Sequence, residues 1–461
     1  MTPPAAKCLK ASSWPAGAGC GARLHIAVIG SGISGLSAAW LLAQRHEVTV
    51  FEADRRPGGH SHTVELKMGG APVAVDTGFI VYNEAAYPNL TALFKHLNVA
   101  TEASDMSFAV SLDGGRLEYS GSGVGGLLAQ PRNALRPRFW RMVRELMRFY
   151  REAPGDAARF GLEPLDAYLD ARGYGRAFRE DHLYPMAAAI WSTPVARIGQ
   201  YPTESFIRFC RNHQLLELGE RPRWRTVLGG SRQYVQALLA SIGPNNLHLD
   251  TEALELSRSA ADGVRVRTAS GWHPRRFDAV VLATHADQAL KILDAPSAEE
   301  RRLLAPFAYS RNLAVLHTDE SLMPLRRKAW SSWNYLGSRA TQSSLSVTYW
   351  MNRLQSLATK VPIFLTLNPA QEPAAGHILH TQTYEHPLFD AAALRAQQAL
   401  WSLQGHRRSW FCGAYFGAGF HEDGLQAGLA VAEHLGGVRR PWQVPDESGR
   451  IALPSTIALT P

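Results

Sequence analysis

The stretch Arg23 to Gly35, R-L-H-I-A-V-I-G-S-G-I-S-G, decides the fold and is followed directly by L-S-A-A-W-L-L-A. Its first part, Leu24 to Ile29, is an apolar, β-branched run that is typical of a buried strand. Beyond Gly35 the apolar residues recur at helical spacing instead. The stretch therefore predicts a strand, a tight glycine turn and a helix.

The three glycines of this turn have the spacing of a dinucleotide-binding site. We expect Gly30 to form the turn, Gly32 to let the backbone approach a pyrophosphate, and Gly35 to let the helix pack closely on the strand. Ser34 lies in the same turn and is predicted to contact the cofactor as well. The phosphates would lie at the positive end of the helix dipole. The alternative is a βαβ unit that binds no cofactor.

A second predicted strand, Glu47 to Phe51, leads directly into Glu52. An acidic residue about 20 positions after the first glycine is where the ribose hydroxyls of a dinucleotide are held. Glu52 therefore favours the dinucleotide site over the plain βαβ unit.

Composition limits the class of protein. A chain of 461 residues with 46% hydrophobic and 19% charged residues is long enough for two or three folded domains. It has no uninterrupted apolar run of about 18 residues, so we expect no transmembrane helix. The first 23 residues, rich in Pro, Ala, Gly and Ser, are predicted to be a disordered tail.

Charge and cysteine usage say little about partners or metals. The net charge of +8 is compatible with an anionic partner or surface, and we assign no nucleic acid to it. Cys8, Cys20, Cys210 and Cys412 are scattered, with no C-x-x-C pair, so we predict no metal site and incidental thiols. Such usage fits a reducing cytoplasm.

The residues after the second strand resemble a known flavoprotein signature. Glu52 to His60, E-A-D-R-R-P-G-G-H, resembles the E-x-x-x-R-x-G-G-R extension of flavin-dependent amine oxidases, phytoene desaturases and protoporphyrinogen oxidases. The resemblance implies bound FAD and contacts from Ala53, Arg56, Gly59 and His60. Because His60 stands in place of the second arginine, Arg56 is the preferred phosphate contact.

Two further segments resemble parts of the same superfamily that approach the flavin. The first, Val73 to Asn83, implies contacts from Thr77, Gly78 and Phe79, although an ordinary strand and turn is the alternative. The second, Phe277 to Thr284, follows a helix that opens at Leu228 to Tyr234 and implies a contact from Thr284.

The end of the chain resembles the superfamily's last strand, turn and helix. An apolar strand, Ser409 to Gly413, is followed by G-F-H-E-D-G-L. In the superfamily the N-terminus of this helix points at the isoalloxazine, whose reduced form carries negative charge that a helix N-terminus stabilises. The residues implied as cofactor contacts here are Gly413, Glu422, Asp423, Gly424 and Leu425. For Glu422 and Asp423 the preferred alternative is that they stabilise the N-terminus of the helix.

His421 is the candidate catalytic residue. Aligning H-E-D-G with the aromatic-x-acidic-G of amine oxidases puts His421 where one member of their aromatic amine cage stands. A histidine suits that cage poorly but can accept a proton near neutral pH. The alternative is a histidine that hydrogen-bonds at the start of the helix.

Two other segments bear on the substrate. Arg136 to Arg151 predicts a helix with an apolar face and an arginine face, and this helix could lie on an anionic bilayer or pack on its own domain. Asp181 to Pro194 is apolar with aromatic residues and predicts either the wall of an apolar substrate cavity or plain core.

The whole pattern from about residue 24 to 437 resembles the bacterial family of predicted NAD/FAD-binding, amine-oxidase-like flavoproteins. Members are commonly associated with cyclopropane-fatty-acid-synthase-like methyltransferases, which implies a lipid acyl-chain substrate and a methyltransferase partner. The implied fold is α/β, with a Rossmann-type FAD-binding domain from residues 24–110, 225–290 and 406–440. A discontinuous, mixed α+β substrate domain would take residues 111–224 and 291–405, and residues 441–461 would form a C-terminal extension.

We therefore expect an FAD-dependent oxidoreductase that acts on an unsaturated or methylated acyl chain. The alternatives are a redox-neutral fatty acid double-bond isomerase, an amine oxidase, and a non-catalytic flavoprotein partner of a lipid methyltransferase. The expected location is the cytoplasm, with the basic helix on the inner membrane face if it binds lipid.

Overall fold

The computed structural model describes residues 22–191, 194–216, 223–259, 261–340 and 346–454. Most of the predicted disordered tail lies outside these residues, and so do Cys8, Cys20 and the last part of the predicted C-terminal extension. Residues 192–193 of the predicted apolar segment also lie outside them.

The strands and helices follow one another along the whole described chain. The strands are β1 (His25–Ile29), β2 (Glu47–Phe51), β3 (Thr63–Met68), β4 (Ala71–Asp76), β5 (Tyr82–Asn83), β6 (Thr101–Ala103), β7 (Phe108–Leu112), β8 (Leu117–Ser120), β9 (Trp224–Val227), β10 (Leu247–His248), β11 (Glu255–Ser259), β12 (Gly263–Thr268), β13 (Gly271–Trp272), β14 (Ala279–Leu282), β15 (Ala308–His317), β16 (Trp333–Gly337), β17 (Ser346–Trp350), β18 (Phe364–Leu367), β19 (Ile378–Leu388) and β20 (Ser409–Phe411). The helices are α1 (Ile33–Leu42), α2 (Pro88–His96), α3 (Gly123–Leu127), α4 (Pro137–Phe160), α5 (Leu165–Ala171), α6 (Arg176–Phe178), α7 (Tyr184–Trp191), α8 (Val195–Ile198), α9 (Thr203–Asn212), α10 (Arg232–Ile242), α11 (Ala286–Ile292), α12 (Ala298–Leu304), α13 (Met351–Leu354), α14 (Ala391–Gln397) and α15 (His421–Gly436).

A five-stranded parallel sheet holds the predicted strand, turn and helix. Its order is β10-β2-β1-β14-β20, and every neighbouring pair is parallel. Parallel strands are buried on both faces, which explains the continuous apolar runs of β1 and β14. This sheet confirms the predicted α/β class and Rossmann-type core.

A seven-stranded sheet forms the second layer of the molecule. Its order is β19-β15-β18-β17-β16-β7-β8, antiparallel except where β7 runs parallel to β16. Strands β16 and β17 carry the aromatic residues Trp333, Tyr335, Tyr349 and Trp350. Helices α4, α7 and α9 pack with this sheet around a separate apolar core.

The predicted basic helix is present as α4 and is longer than predicted. Phe139, Met142 and Phe149 on its apolar face are buried in the second core. The apolar face of this helix therefore packs on the protein itself, which agrees with the second of the two interpretations of the sequence. No helix in the described ranges is both long and apolar enough to cross a bilayer.

A buried ion pair joins the three-stranded antiparallel sheet β11-β12-β13 to α12. Arg258 on β11 contacts Glu300, and their side chains are 0% and 2% exposed. Glu300 also accepts a hydrogen bond from the backbone N–H of Ser297, the N-cap of α12, at 2.7 Å. Arg258 also donates hydrogen bonds to the Ser409 hydroxyl and to the carbonyl of Ala295, both at 3.2 Å.

We expect Glu300→Gln to lower the free energy of unfolding by about 3 kcal/mol, because it leaves the buried Arg258 guanidinium without its counter-charge. Urea unfolding of the purified protein measures this change. The matched control is Glu299→Gln on the same helix turn, where the pair with Arg302 is exposed, so stability should not change measurably. Equal effects of the two substitutions would contradict the prediction.

Candidate active site

The glycine turn has the geometry that its sequence predicts. Gly30 has a φ of +100°, and a Cβ there would lie 2.7 Å from the carbonyl oxygen of Ala283. A Cβ on Gly35 would lie 2.0 Å from the carbonyl oxygen of Gly30, so only glycine lets α1 approach the turn. A Cβ on Gly32 would meet nothing within 4 Å. The backbone at Gly32 is therefore open to a ligand.

Glu52 is held rigidly beside this turn. Its Oε2 accepts hydrogen bonds from the backbone N–H of Ser31 at 2.8 Å and from the Ser31 hydroxyl at 2.5 Å. Its Oε1 accepts from the backbone N–H of Asp54 at 2.9 Å. Oε2 already accepts two bonds, but Oε1 accepts only one and can accept a second, so Glu52 can still receive a ribose hydroxyl.

A cavity of about 1830 Å³ runs from the glycine turn towards the seven-stranded sheet. It exceeds the roughly 300–1,000 Å³ of an ordinary ligand pocket, which fits a cofactor and a substrate in one space. Thirteen residues predicted from the sequence line it, namely Gly30, Gly32, Ser34, Glu52, Ala53, Gly59, His60, Thr77, Gly78, Phe79, Thr284, Gly413 and His421.

The other predicted cofactor residues do not line the cavity. Arg56 donates a hydrogen bond from Nη1 to the carbonyl of Gly59 at 2.8 Å, so it braces the turn. Gly35 and Gly424 are packing positions, because a Cβ on Gly424 would lie 2.7 Å from the Ser34 hydroxyl. Leu425 is fully buried in the core of the parallel sheet.

The two carboxylates predicted at the α15 N-terminus are also turned away from the cavity. Glu422 accepts hydrogen bonds from the backbone N–H groups of Asn89 and Leu90 and so caps α2. Asp423 accepts from the backbone N–H of Phe420 at 2.7 Å and pairs with Arg450 at 2.6 Å. Helix ends and an arginine therefore already use these oxygens, and contact of either residue with a cofactor stays a prediction.

His421 lies at the first turn of α15 with its ring fixed on two sides. Its Nε2 lies 2.7 Å from the hydroxyl of Tyr234 and 3.2 Å from that of Ser61. Its ring stacks on Phe79, with centroids 3.9 Å apart and planes 9° apart. Burial lowers the pKa of His421 to about 3. The imidazole is therefore neutral, and its role as proton acceptor stays a prediction.

A second polar cluster in the cavity joins His60 and Thr77, which were predicted from the sequence, to Tyr384 and His386, which were not. The ring of His60 lies 5.1 Å from that of Tyr384 and 5.3 Å from that of His386. The Tyr384 hydroxyl is 2.7 Å from the hydroxyl of Thr77, and the Asn312 amide contacts His386 Nδ1 at 3.1 Å. Spacing by two residues puts Tyr384 and His386 on one face of β19, which is the only signal the sequence held.

These imidazoles are uncharged and one has a free nitrogen. Burial lowers the pKa of His386 to about 4 and that of His60 well below its ordinary value. The Nε2 atom of His60 is buried and has no hydrogen-bond partner among the described residues. A buried polar atom without a partner in a cavity wall indicates a position where a bound molecule supplies the partner.

Beyond these groups the cavity becomes an apolar chamber. Its walls come from α4, α7 and β18, with the side chains of Met142, Leu146, Met186, Ile190, Leu365 and Leu367. The segment Asp181 to Pro194 was predicted to be either cavity wall or core. Its helix α7 is both, because Met186 and Ile190 line the chamber while the alanines between them are buried. No described His, Cys, Asp or Glu residues form a group of three that could hold a metal ion.

A buried histidine also lines the chamber. The Nδ1 of His182 lies 2.9 Å from the Tyr119 hydroxyl, and that hydroxyl donates to the Asp181 carbonyl at 2.7 Å. His182 Nδ1 must then carry the proton and donate. Burial lowers the pKa of His182 to about 4, so it is neutral at pH 7.

We expect the protein to lose stability as the pH falls from 6.5 to 5. The folded-state pKa of His182 lies below its unfolded value of about 6.5, so stability is complete above pH 6.5 and is lost as the unfolded state gains protons. At pH 5 the loss from His182 is about 2 kcal/mol. Urea unfolding at both pH values should therefore show that the free energy of unfolding falls less between pH 6.5 and pH 5 in His182→Gln than in the unchanged protein. The exposed His406→Gln serves as control, and an unchanged loss in His182→Gln would contradict the prediction.

The chain matches, over residues 33–352, the family described as flavin containing amine oxidoreductase. It is 58% identical over 40 residues to an L-amino-acid oxidase of Daboia russelii, a match that spans only 8% of each chain.

Solved structures of similar shape cover nearly the whole chain. A CLA-producing fatty acid isomerase from P. acnes has a TM-score of 0.60 at 15% identity over 89% of this chain and 97% of that one. Cyclohexylamine oxidase from Brevibacterium oxydans IH-35A has a TM-score of 0.62 at 16% identity, over 90% of this chain and 100% of that one. Wild-type putrescine oxidase with bound putrescine has a TM-score of 0.65 at 14% identity, over 90% of this chain and 99% of that one. At such low sequence identities, the TM-scores show a shared fold and nothing more.

The glycine turn, the fixed Glu52 and the helix α15 at the cavity together form a dinucleotide site, and the family match covers well over half of the chain. The chain therefore belongs to the flavin-containing amine oxidoreductases and is an FAD-dependent oxidoreductase.

Proposed function

We propose that this enzyme oxidises a fatty acyl chain, unsaturated or methyl-branched, by removing two hydrogens from it. The observation that carries the proposal is the continuity of the cavity, which leads from the dinucleotide turn into the apolar chamber without a break. An acyl chain has no polar handle along its length, so a site for it must be a deep apolar space.

The residues of the cavity fit FAD. The glycine turn would hold the pyrophosphate, Glu52 the ribose, and the N-terminus of α15 the electron-rich edge of the ring. The unpartnered Nε2 of His60 and the open space at Gly32 are positions that a bound cofactor would fill. When bound, FAD supplies the acceptor for a hydride from a C–H bond.

The chain's own residues would bind and orient the substrate. Burial of each CH₂ group in the chamber contributes about 0.8 kcal/mol, so several buried carbons hold the chain firmly. The apolar walls also exclude water from the reacting carbons. His386 and His60 are neutral and lie beside the chamber, so either imidazole could accept the proton that leaves with the hydride.

A redox-neutral isomerase is the second candidate. It is favoured by the likeness in fold to a fatty acid isomerase over almost the full length of both chains. The same apolar chamber would bind the acyl chain, but the hydride would return to a different carbon. Such a reaction moves a double bond and needs no electron acceptor.

A lipid methyltransferase fits the proposal as a partner, because it would supply the methyl-branched acyl chain. In that arrangement the two proteins act one after the other on the same lipid. The opposite case is a flavoprotein that only supports the methyltransferase, in which no lipid would react at the flavin.

An anaerobic absorbance spectrum of the holoenzyme tests the proposal. We expect phospholipids with monounsaturated or methyl-branched acyl chains to bleach the long-wavelength flavin band, and admission of air should test oxygen as the acceptor. Phospholipids with straight saturated chains are the matched control and should leave the band unchanged.

The other functions give different results in the same experiment. A persistent yellow colour with a shifted double bond in the product indicates the isomerase. Bleaching by a panel of amines but by no lipid indicates an amine oxidase. Unchanged lipid together with co-purification of a methyltransferase indicates the non-catalytic role and contradicts the proposal.

We also expect Glu52→Gln to weaken FAD binding about tenfold, because hydrogen bonds from the ribose hydroxyls to a charged carboxylate become bonds to a neutral amide. Titration of the apoprotein with FAD, followed by flavin fluorescence, measures the affinity. Glu47→Gln on the same strand is the control, since its carboxylate pairs with Arg275 outside the cavity. Equal affinities of the two variants would refute the role of Glu52.

A further inference from the structure

The apolar chamber opens to solvent beside α4 and α3. Met147 on α4 lines the cavity and yet is 42% exposed, and Val124 on α3 lines it and is 73% exposed. Side chains that are both wall and surface mark the mouth of a cavity. The mouth is therefore itself apolar, which is unusual for a channel that admits a water-soluble substrate.

More exposed apolar side chains surround this mouth. Leu135, just before α4, is 86% exposed, and Trp140 is 49% exposed. At 3.6 residues per turn, Trp140, Arg144, Met147 and Arg151 fall within about 60° of one another on the helix. We call the exposed set Val124, Leu135, Trp140 and Met147 the portal face.

The surface around the portal face is strongly basic. The segment from residue 119 to 144 contains no acidic residue but five arginines, at positions 132, 136, 138, 141 and 144. Arg141 and Arg144 are exposed and form no ion pair with any described residue. Exposed aromatic and aliphatic side chains among unpaired arginines are typical of a surface that lies on anionic lipid.

A small depression at the start of α4 adds to this surface. It has a volume of about 340 Å³ and is lined by Arg116, Leu117, Arg136, Arg138, Phe139, Asp181 and Arg339. Asp181 pairs with Arg138 and Arg339, and Arg116 and Arg136 have no carboxylate partner among the described residues. Its chemistry suits the phosphate of a lipid head group.

We propose that the portal face docks on an anionic phospholipid bilayer and that the acyl chain enters the chamber directly from the membrane. Leu135 and Trp140 insert among the head groups, and the arginines pair with lipid phosphates. This inference extends the proposed function, since it takes the substrate to be the acyl chain of an intact phospholipid. It differs from the expectation drawn from the sequence, because the apolar face of α4 packs inward and the opposite stripe meets the lipid.

Vesicle flotation of the full-length holoenzyme tests the docking. We expect binding to vesicles that contain phosphatidylglycerol, little binding to pure phosphatidylcholine, and weaker binding at high salt. Arg141→Gln with Arg144→Gln should lower the partition coefficient about thirtyfold, at about 1 kcal/mol per arginine near the surface. Leu135→Ser should lower it further in a manner that salt does not change.

Matched controls remove the same groups elsewhere. Arg276→Gln with Arg302→Gln removes two exposed arginines from outside the portal face. Ile378→Ser removes an exposed aliphatic residue from β19, the opposite edge of the seven-stranded sheet from β8. Both controls should float with vesicles as the unchanged protein does.

Three outcomes would overturn the docking: equal binding to neutral and anionic vesicles, no binding to either, or undiminished binding of the Arg141 and Arg144 variant. Capture of the protein by duplex DNA, with the same loss in that variant and no vesicle binding, would assign the surface to nucleic acid instead.

Flavin reduction by the same phospholipid in detergent micelles separates this inference from the proposed function. Reduction in micelles without vesicle binding refutes the docking alone. Vesicle binding without flavin reduction by any lipid refutes the proposed oxidation and leaves the docking in place.

Discussion

The site depends on the very close approach of two helices to the glycine turn. A Cβ on Gly428 would lie 2.2 Å from the carbonyl oxygen of Ser34, and one on Gly35 would lie 2.0 Å from that of Gly30. Glycine at position 428 lets α15 pack directly on α1, and glycine at position 35 lets α1 pack against the turn. Because both helices begin at the cavity, this contact aims two positive helix ends into one space.

Three imidazoles of the cavity share the same electrostatic state. Burial lowers the pKa of His421 to about 3 and that of His386 and His182 to about 4, so each imidazole is neutral at pH 7. A neutral imidazole can accept a proton, and a row of them adds no fixed charge beside an apolar chamber. The site is therefore suited to a substrate without charge at its reacting carbons.

Helix α4 connects the chamber with the surface. Its apolar side holds Phe139, Met142 and Phe149 in the second core, and Met142 and Leu146 on this side also line the chamber. Its outer side carries arginines. One helix thus forms core, wall and exterior, with Met147 at the boundary. Such a helix places the entrance of the chamber at the most basic surface of this segment.

The sequence by itself determined the unit of β1, the glycine turn, α1 and β2 and the position of Glu52, because these depend on contacts between residues that are close along the chain and on backbone conformations that favour glycine. Tertiary structure decided the rest. Tyr234 and Ser61 reach His421, and His386 reaches His60, across hundreds of residues, and no local pattern encodes those meetings. It also decided that Glu422 caps α2, since a carboxylate follows whichever unsatisfied N–H groups the fold brings to it.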